Sequence, residues 1–244
     1  MNLIIDVGNT QVKLAVFEVN ELRHVEIIDH DNLEKSSKHL CKKFGCENAI
    51  ISNVGPVSNS MINSLNKIVP LIVLNSNTPV PFKNCYESPE TLGVDRIALA
   101  TSAYVQFSDT NVLVIDAGSC ITYDFMNSQG AYLGGSISPG LQMRYNALSD
   151  YTKQLPLLTP IYLKDTIGKS TNSSIHIGVV KGVISEIDSC IKKYRKKNKN
   201  LTVVLTGGDV NYLGKRLKNG IFANPNFLLE GLNIILTHNY RING

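Results

Sequence analysis

Paired cysteines are the first thing missing from this chain. Its five cysteines, Cys41, Cys46, Cys85, Cys120 and Cys190, are odd in number and none stands in a C-x-x-C spacing. That excludes a disulfide framework and a zinc site built on such pairs, and leaves five reduced thiols. No apolar run is long enough to span a bilayer, and no basic leader followed by a long apolar stretch opens the chain. The expectation is a cytoplasmic protein without membrane contact. A large excess of one charge is also absent: the net charge is +4 and 18% of residues are charged, which suits anionic small molecules and gives no argument for nucleic acid. The five histidines (His24, His30, His39, His176, His238) show no metal-ligand spacing and no recognisable Ser/Asp partners. No linker rich in Gly or Ser divides the 244 residues, a length that suggests one or two domains with a proper core.

The most informative stretch is Met1 to Phe17, MNLIIDVGNTQVKLAVF. Two apolar runs flank Asp6-Val7-Gly8-Asn9-Thr10, which predicts a β-hairpin with a tight Gly-Asn turn, since Gly and Asn tolerate the positive φ such turns need. A carboxylate precedes the turn, and an amide, a hydroxyl and Lys13 follow it. Backbone amides freed by the turn, with Asn9, Thr10 and Lys13, suit phosphate oxygens, and Asp6 is placed to hold a hydrated Mg²⁺ beside them. A plain surface hairpin whose Asp and Asn serve the turn is the alternative.

The stretch has an echo. Leu113 to Phe125, LVIDAGSCITYDF, repeats the strand, the Asp-x-Gly-polar turn (Asp116-Ala117-Gly118-Ser119) and the second strand, and Val203 to Asp209 runs a buried-type strand into Gly207-Gly208. Two such hairpins and a late Gly-Gly turn resemble the nucleotide cradle of the actin, sugar-kinase and heat-shock-chaperone ATPase superfamily. The resemblance implies an α/β fold of two duplicated ribonuclease-H-like domains, mixed sheets flanked by helices, with ATP in an interdomain cleft. The expected division is 1–108 and 109–244, with a hinge near Ser108–Asn111.

Along the chain, a third strand is predicted at Leu22–Ile28, then a helix at Leu33–Phe44 with Asp31 as N-cap and Gly45 beyond its end. A strand at 49–54, an amphipathic helix at 58–68 and a strand at 71–74 follow. In the second half a strand at 132–138, helices at 141–151, 210–217 and 227–240, and a long helix from Asn172 are predicted. The last of these carries an apolar stripe, Ile175, Val179, Val180, Val183, Ile184 and Ile187.

Between the halves, Tyr86 leads to Gly93-Val94-Asp95-Arg96 at the start of a helical run. A helix N-terminus favours an ionised Asp95, and an adjacent Arg binds a carboxylate bidentately. An N-terminal Asp that only stabilises its own helix, with Arg96 on a solvated face, is the alternative.

As a whole the pattern resembles the type III pantothenate kinases: DVGNT at 6–10, GVDRIALA at 93–100, DAGSCITYD at 116–124, GGSISPGL at 134–141, GKST at 168–171 and TGGD at 206–209, in family order across nearly the whole chain. GVDR is the most discriminating. The departures, Ser119-Cys120 in the second hairpin and Gln11-Val12 after the first turn, keep a hydroxyl at Ser119. The resemblance implies ATP-dependent phosphorylation of pantothenate, the first step of coenzyme A synthesis. Asp95 is then the general base, and Tyr86, Gly93, Val94, Arg96 and Thr171 bind substrate. ATP lies on Asp6–Lys13, Ser119, Gly207 and Gly208, Mg²⁺ is held by Asp6 through water, and a monovalent cation (K⁺ or NH₄⁺) by Asp116. It also implies a homodimer in which Thr171 reaches the neighbouring subunit's substrate. The residues alone also allow a related kinase for another small hydroxy acid, or a regulatory relative that binds nucleotide without turnover.

Two other features carry less. Gly168-Lys169-Ser170-Thr171 looks like the end of a P-loop, but that motif needs glycine where Leu163 stands, and no strand leads into it. The basic run 192–199 reads as the solvated end of the long helix, where cations complement the dipole.

Overall fold

The structure is a computed structural model that describes residues 1–243. In chain order its elements are β1 (Asn2–Val7), β2 (Val12–Glu18), β3 (Glu21–Ile28), α1 (Leu33–Phe44), β4 (Asn48–Asn53), α2 (Asn59–Ile68), β5 (Leu71–Val73) and the short β6 (Lys83–Asn84). Then come α3 (Val94–Gln106), β7 (Asn111–Ala117), β8 (Cys120–Met126), β9 (Ala131–Pro139), α4 (Leu141–Asp150) and α5 (Thr171–His176). A π turn (Ile177–Lys181) runs into α6 (Gly182–Lys197), followed by β10 (Leu201–Thr206), α7 (Val210–Gly214), β11 (Phe222–Ala223) and α8 (Phe227–Asn243). They gather into two compact units. One holds Met1–Ser108, Gln129–Gly134 and the segment from Asn226 on; the other holds Asp109–Ser128 and Gly135–Pro225.

The first unit is built on a five-stranded sheet in the order β3-β2-β1-β4-β5. β1, β2 and β3 are antiparallel, and β4 and β5 run parallel to β1. Leu3, Ile5 and Val7 of β1, with Val12, Leu14 and Val16 of β2, pack against Leu33 and Leu40 of α1 and Leu65 of α2. Ile4 is buried too, so β1 reads as an unbroken apolar run, as a strand covered on both faces must. α8 packs against β1, β4 and above all α3. A β-carbon at Gly231 of α8 would collide with the Ala98 carbonyl oxygen, so this helix pair meets backbone to backbone. The polar residues at this contact are paired: Ser102 donates to the Phe227 carbonyl at 2.7 Å, and Asn2 donates to the Asn233 side-chain oxygen at 2.9 Å.

In the second unit, β7 pairs antiparallel with β8 and parallel with β10. Leu113, Ile115, Ile121, Tyr123, Val203 and Leu205 form the core with apolar residues of α4, α5, the π turn and α6. Ile175, Val179, Val180, Val183 and Ile187 all lie in this core, so most of the predicted stripe is covered within its own unit. No helix among the described residues is long and apolar enough to cross a membrane.

Three local expectations are corrected. The first hairpin has a four-residue loop, Gly8 to Gln11, closed by a Gly8 N–H to Gln11 carbonyl bond of 3.0 Å, and neither Gly8 nor Asn9 has positive φ. A wider loop removes the strain that a two-residue Gly-Asn turn would have to absorb. Asp31 does not cap α1: a 3₁₀ turn at His30–Asn32 leads straight into the helix, and Asn32, itself helical, precedes it. The helix behind the glycine pair is only Val210–Gly214, ending at a further glycine with poor helix propensity. Ser58 does cap α2, accepting from the Met61 amide at 3.3 Å.

Candidate active site

In the first unit, Asp6 is the penultimate residue of β1, opposite Lys13 on β2 and Ser52 on β4. The Gly8 carbonyl behind the turn accepts from His30 Nε2 at 2.9 Å, and a β-carbon at Gly55 would collide with the same oxygen. The loop after β4 therefore lies directly on the first turn and holds it. Asp6 answers to its burial and to three neighbours. Burial pushes its carboxyl up to about 6, Lys13 opposes that, Asp95 adds to it, and neighbouring Ser52 lowers it slightly, although its Oγ makes no hydrogen bond of ordinary geometry. The structure thus brings Asp6, Lys13 and Asp95 together, and adds Ser52, which has no motif of its own. Only the parallel pairing of β1 with β4 reveals it.

Asp95 sits in the first turn of α3 with Gly93 as the N-cap residue. Its Oδ1 accepts the Arg96 amide at 2.9 Å, and a β-carbon at Gly93 would collide with that same oxygen. Glycine before this turn is therefore what lets the carboxylate fold back over the helix start. Burial raises the Asp95 carboxyl, with the Arg96 amide and charge pulling the other way. Arg96 is 5% exposed, which overturns the alternative of a solvated face. Its guanidinium lies 5.5 Å from the Tyr86 ring centroid, a cation–π arrangement. Tyr86 is positioned by β6, which pairs in parallel with the start of β9. Beyond that strand the Cys85 amide donates to the Tyr132 carbonyl at 2.9 Å, and the Tyr86 and Tyr132 rings stand 6.2 Å apart. A two-residue strand has no periodicity to read, so this placement is not visible in the sequence.

In the second unit, Asp116 pairs with Thr122 on β8 and with Thr206 on β10. Gly207 follows with φ of +92°, and a β-carbon there would collide with Asp116 Oδ1 and the Ala117 carbonyl oxygen. The Asp209 amide donates to that carbonyl at 2.9 Å, and the Gly140 amide donates to the Ser119 carbonyl at 3.1 Å. Asp116, Gly118-Ser119, Gly140 and Gly207-Gly208 are therefore one close-packed group of turns. Burial raises the Asp209 carboxyl.

Thr171 opens α5 on the exposed side of the same unit. Ser170 makes a capping box with Ser173, so the cap reading of this segment holds for Ser170. Thr171 lines a groove of about 960 Å³ with Arg144, Leu148, Tyr151 and Leu155, which shares no residue with the Asp116 turns. Beside it is a network that sequence reasoning missed. Glu186 accepts from Tyr123 Oη at 3.0 Å, Ser138 Oγ at 2.6 Å and Arg144 Nη2 at 2.6 Å. Although burial opposes it, the Ser138, Arg144 and Tyr123 bonds hold the Glu186 carboxyl below its ordinary value. The one hint in the sequence is Ser138 in the SISPG stretch, which brings a hydroxyl to the end of β9. No group of three or more His, Cys, Asp or Glu suited to a metal occurs among the described residues.

A sequence profile of type III pantothenate kinases matches residues 2–193. The chain belongs to that family. It is 46% identical over 243 residues to the type III pantothenate kinase of Flavobacterium johnsoniae, covering 99% of each chain. Among solved structures it is similar to a Campylobacter jejuni protein described as a Baf family transcriptional activator (22% identity, 98% and 99% coverage, TM-score 0.64). It is also similar to the polyphosphate/ATP-glucomannokinase of an Arthrobacter species (13% identity, 99% and 100% coverage, TM-score 0.52). These likenesses give the fold, that of the actin-like ATPases and sugar kinases.

Proposed function

We propose that this chain transfers the γ-phosphoryl group of ATP to the primary hydroxyl of pantothenate, giving 4′-phosphopantothenate in the first step of coenzyme A synthesis. The observation that supports it best is the meeting of Asp6 and Asp95 in one unit, with Arg96 buried beside Asp95 against Tyr86. A hydroxy acid needs a base for its hydroxyl and a cation for its carboxylate, and both are here. Asp95 Oδ1 is engaged by the Arg96 amide, so Oδ2 accepts the hydroxyl proton late, as the new P–O bond forms in a loose transition state. Arg96, oriented by the Tyr86 ring, binds the substrate carboxylate, and Gly93-Val94 shape the approach.

We assign phosphate-binding groups to Gly8–Lys13 in the first unit, and to Ser119, Gly207 and Gly208 in the second. A half-buried carboxylate whose proton affinity a second carboxylate raises further is a donor set that fits Mg²⁺, which takes one or two carboxylates plus substrate phosphates. Asp6 would hold it through water, where it offsets charge on the β- and γ-phosphates. Asp116, beside the Ala117 carbonyl at Gly207, is an oxygen site that fits a monovalent cation such as K⁺ or NH₄⁺. We also assign a homodimer, supported by the exposed groove at Thr171, where Tyr151 is 90% exposed.

The test is purified protein with Mg-ATP and a panel of hydroxy acids, in K⁺ and in Na⁺ buffers, with ADP release and product mass measured. Turnover with pantothenate and K⁺, and a product heavier by one phosphoryl group, is expected. Turnover only with another acid would overturn the substrate assignment, and full activity in Na⁺ alone would overturn the cation.

A further inference from the structure

The end of α1 carries two thiols that phosphoryl transfer does not use. α1 stops at Phe44, and Gly45 takes the left-handed conformation, φ 65° and ψ 49°. The Gly45 amide donates to the Cys41 carbonyl at 2.9 Å, and the Cys46 amide reaches the same oxygen at 3.3 Å. The second bond is the 6→1 closure of a Schellman cap. Such caps bring together the side chains at the two ends of the closure, most often as an apolar contact. Here those side chains are Cys41 and Cys46, so the contact is thiol on thiol. A disulfide needs Cα atoms about 4.4–6.8 Å apart, and the 3.3 Å backbone bond between these two residues brings their main chains together.

The surroundings favour reaction over inert burial. Both cysteines are partly exposed, and they share a surface depression with Lys38, Lys42 and Lys67. The amino group of Met1 donates to the Gly45 carbonyl at 3.4 Å, so a positive charge stands at the cap. The hydrogen bond from the Cys41 thiol lowers the Cys46 thiol, burial opposes it, and the chain's amino terminus lowers it further; Cys41 is raised correspondingly. Of the two thiols, Cys46 therefore gives up its proton more readily, and as a thiol it reaches the Leu40 carbonyl at 4.0 Å.

We propose that Cys41 and Cys46 are a hydroperoxide-responsive dithiol that closes to a disulfide across the end of α1. The Cys46 thiolate attacks one oxygen of the hydroperoxide and the O–O bond breaks. Cys46 becomes a sulfenic acid, and the departing hydroxide takes up a proton. Cys41 sulfur then attacks the Cys46 sulfur, and the sulfenic oxygen leaves as water with the Cys41 proton. Two thiols and one hydrogen peroxide give one disulfide and two waters, the sulfurs losing two electrons and the peroxide gaining them. A small-molecule dithiol reverses the step by exchange.

The experiment treats the full chain with one equivalent of hydrogen peroxide, alkylates the remaining thiols and maps tryptic peptides by mass. Free thiols should fall from five to three, and the chain should lose about 2 Da. Trypsin cuts at Lys42 and Lys43, between the pair, so the Cys41 and Cys46 fragments stay joined only by the new bond. Dithiothreitol should restore all five thiols. Cys41→Ser should stop at a Cys46 sulfenic acid that dimedone traps, and Cys46→Ser should slow oxidation at position 41 at least about tenfold. The wild-type map needs no variant, so a poorly folding mutant leaves the question answerable. Oxidation of Cys85 with Cys41 and Cys46 untouched, or a disulfide from either one to another cysteine, would overturn the proposal.

Discussion

Gly207 lies against Asp116 with no space for a side chain: a β-carbon would strike both the Asp116 carboxylate and the Ala117 carbonyl, at a φ of +92° that disfavours any other residue. A β-carbon on Gly208, next in the chain, would meet nothing within 4 Å. The two glycines should therefore respond differently to alanine. Gly207→Ala should lose about 1–3 kcal/mol of stability and most activity, because it displaces Asp116. Gly208→Ala should melt within about 0.5 kcal/mol of the wild type and show a raised KM for ATP. Urea denaturation and steady-state kinetics on both variants would check this.

Asp6 gives a pH signature. Its carboxyl titrates near 6 in the folded chain against 3.8 ordinarily, chiefly because it is buried. Below about pH 4 the carboxyl is protonated in both states and contributes no difference. As pH rises through the window from about 4 to 6 the unfolded chain loses the proton first, so stability falls, and above about 6 the full penalty applies. The difference corresponds to about 3 kcal/mol, less where solvent screens the group. Asp6→Asn should be more stable than wild type by about 1–3 kcal/mol at pH ~7.5, nearly equal to it at pH ~4, and inactive. An unchanged urea midpoint at both pH values would contradict the shift.

For Asp95, loss of the base should be kinetic. Asp95→Asn should lower kcat by about 10²–10⁴-fold with little change in KM for ATP. Its melting temperature should stay close to wild type, since the helix-dipole gain of about 1 kcal/mol is opposed by burial of the charge. Near-normal turnover would reduce Asp95 to a helix-terminal charge.

Arg96→Lys tests the fork. Lysine keeps the charge but loses the planar pair of donors and the flat face against Tyr86. KM for pantothenate should rise at least about tenfold, while Tyr86→Phe, which keeps a ring for stacking, should change it only a few fold. Equal effects from both would argue that the ring's hydroxyl, not its face, positions the arginine.

Much of this is legible in the sequence because it rests on local chemistry. Asp6 and Asp116 announce themselves by Asp-x-Gly between apolar runs, and the strands around them fall where those runs place them. Gly45 is readable as a helix end because only a residue tolerant of positive φ fits there. What stays hidden depends on partners far apart in the chain. Ser52 becomes relevant only through parallel pairing with Asp6, Tyr86 through a two-residue strand, and Glu186 through three donors drawn from β8, β9 and α4. The loop of the first hairpin differs from expectation because the dipeptide Gly-Asn does not state how many residues the turn spans.

The π turn has a consequence for how its helix tolerates change in length. Ile175, Val179, Val183, Ile187 and Ile191 are all buried at steps of four residues. On a regular α-helix each such step turns about 40° past the last, so four of them would wander off one face. The wider turn at Ile177–Lys181 absorbs part of that drift and keeps both ends facing inward. It acts as a one-residue insertion built into the helix. Removing the exposed Gly178 would return this turn to a regular α-helix and leave both flanking faces close to their present register. The same one-residue deletion in α6, outside the wide turn, would rotate everything N-terminal to it by about 100°. Only that second deletion would carry His176 away from its 2.9 Å bond with Tyr145 and swing Thr171 off the groove it now borders.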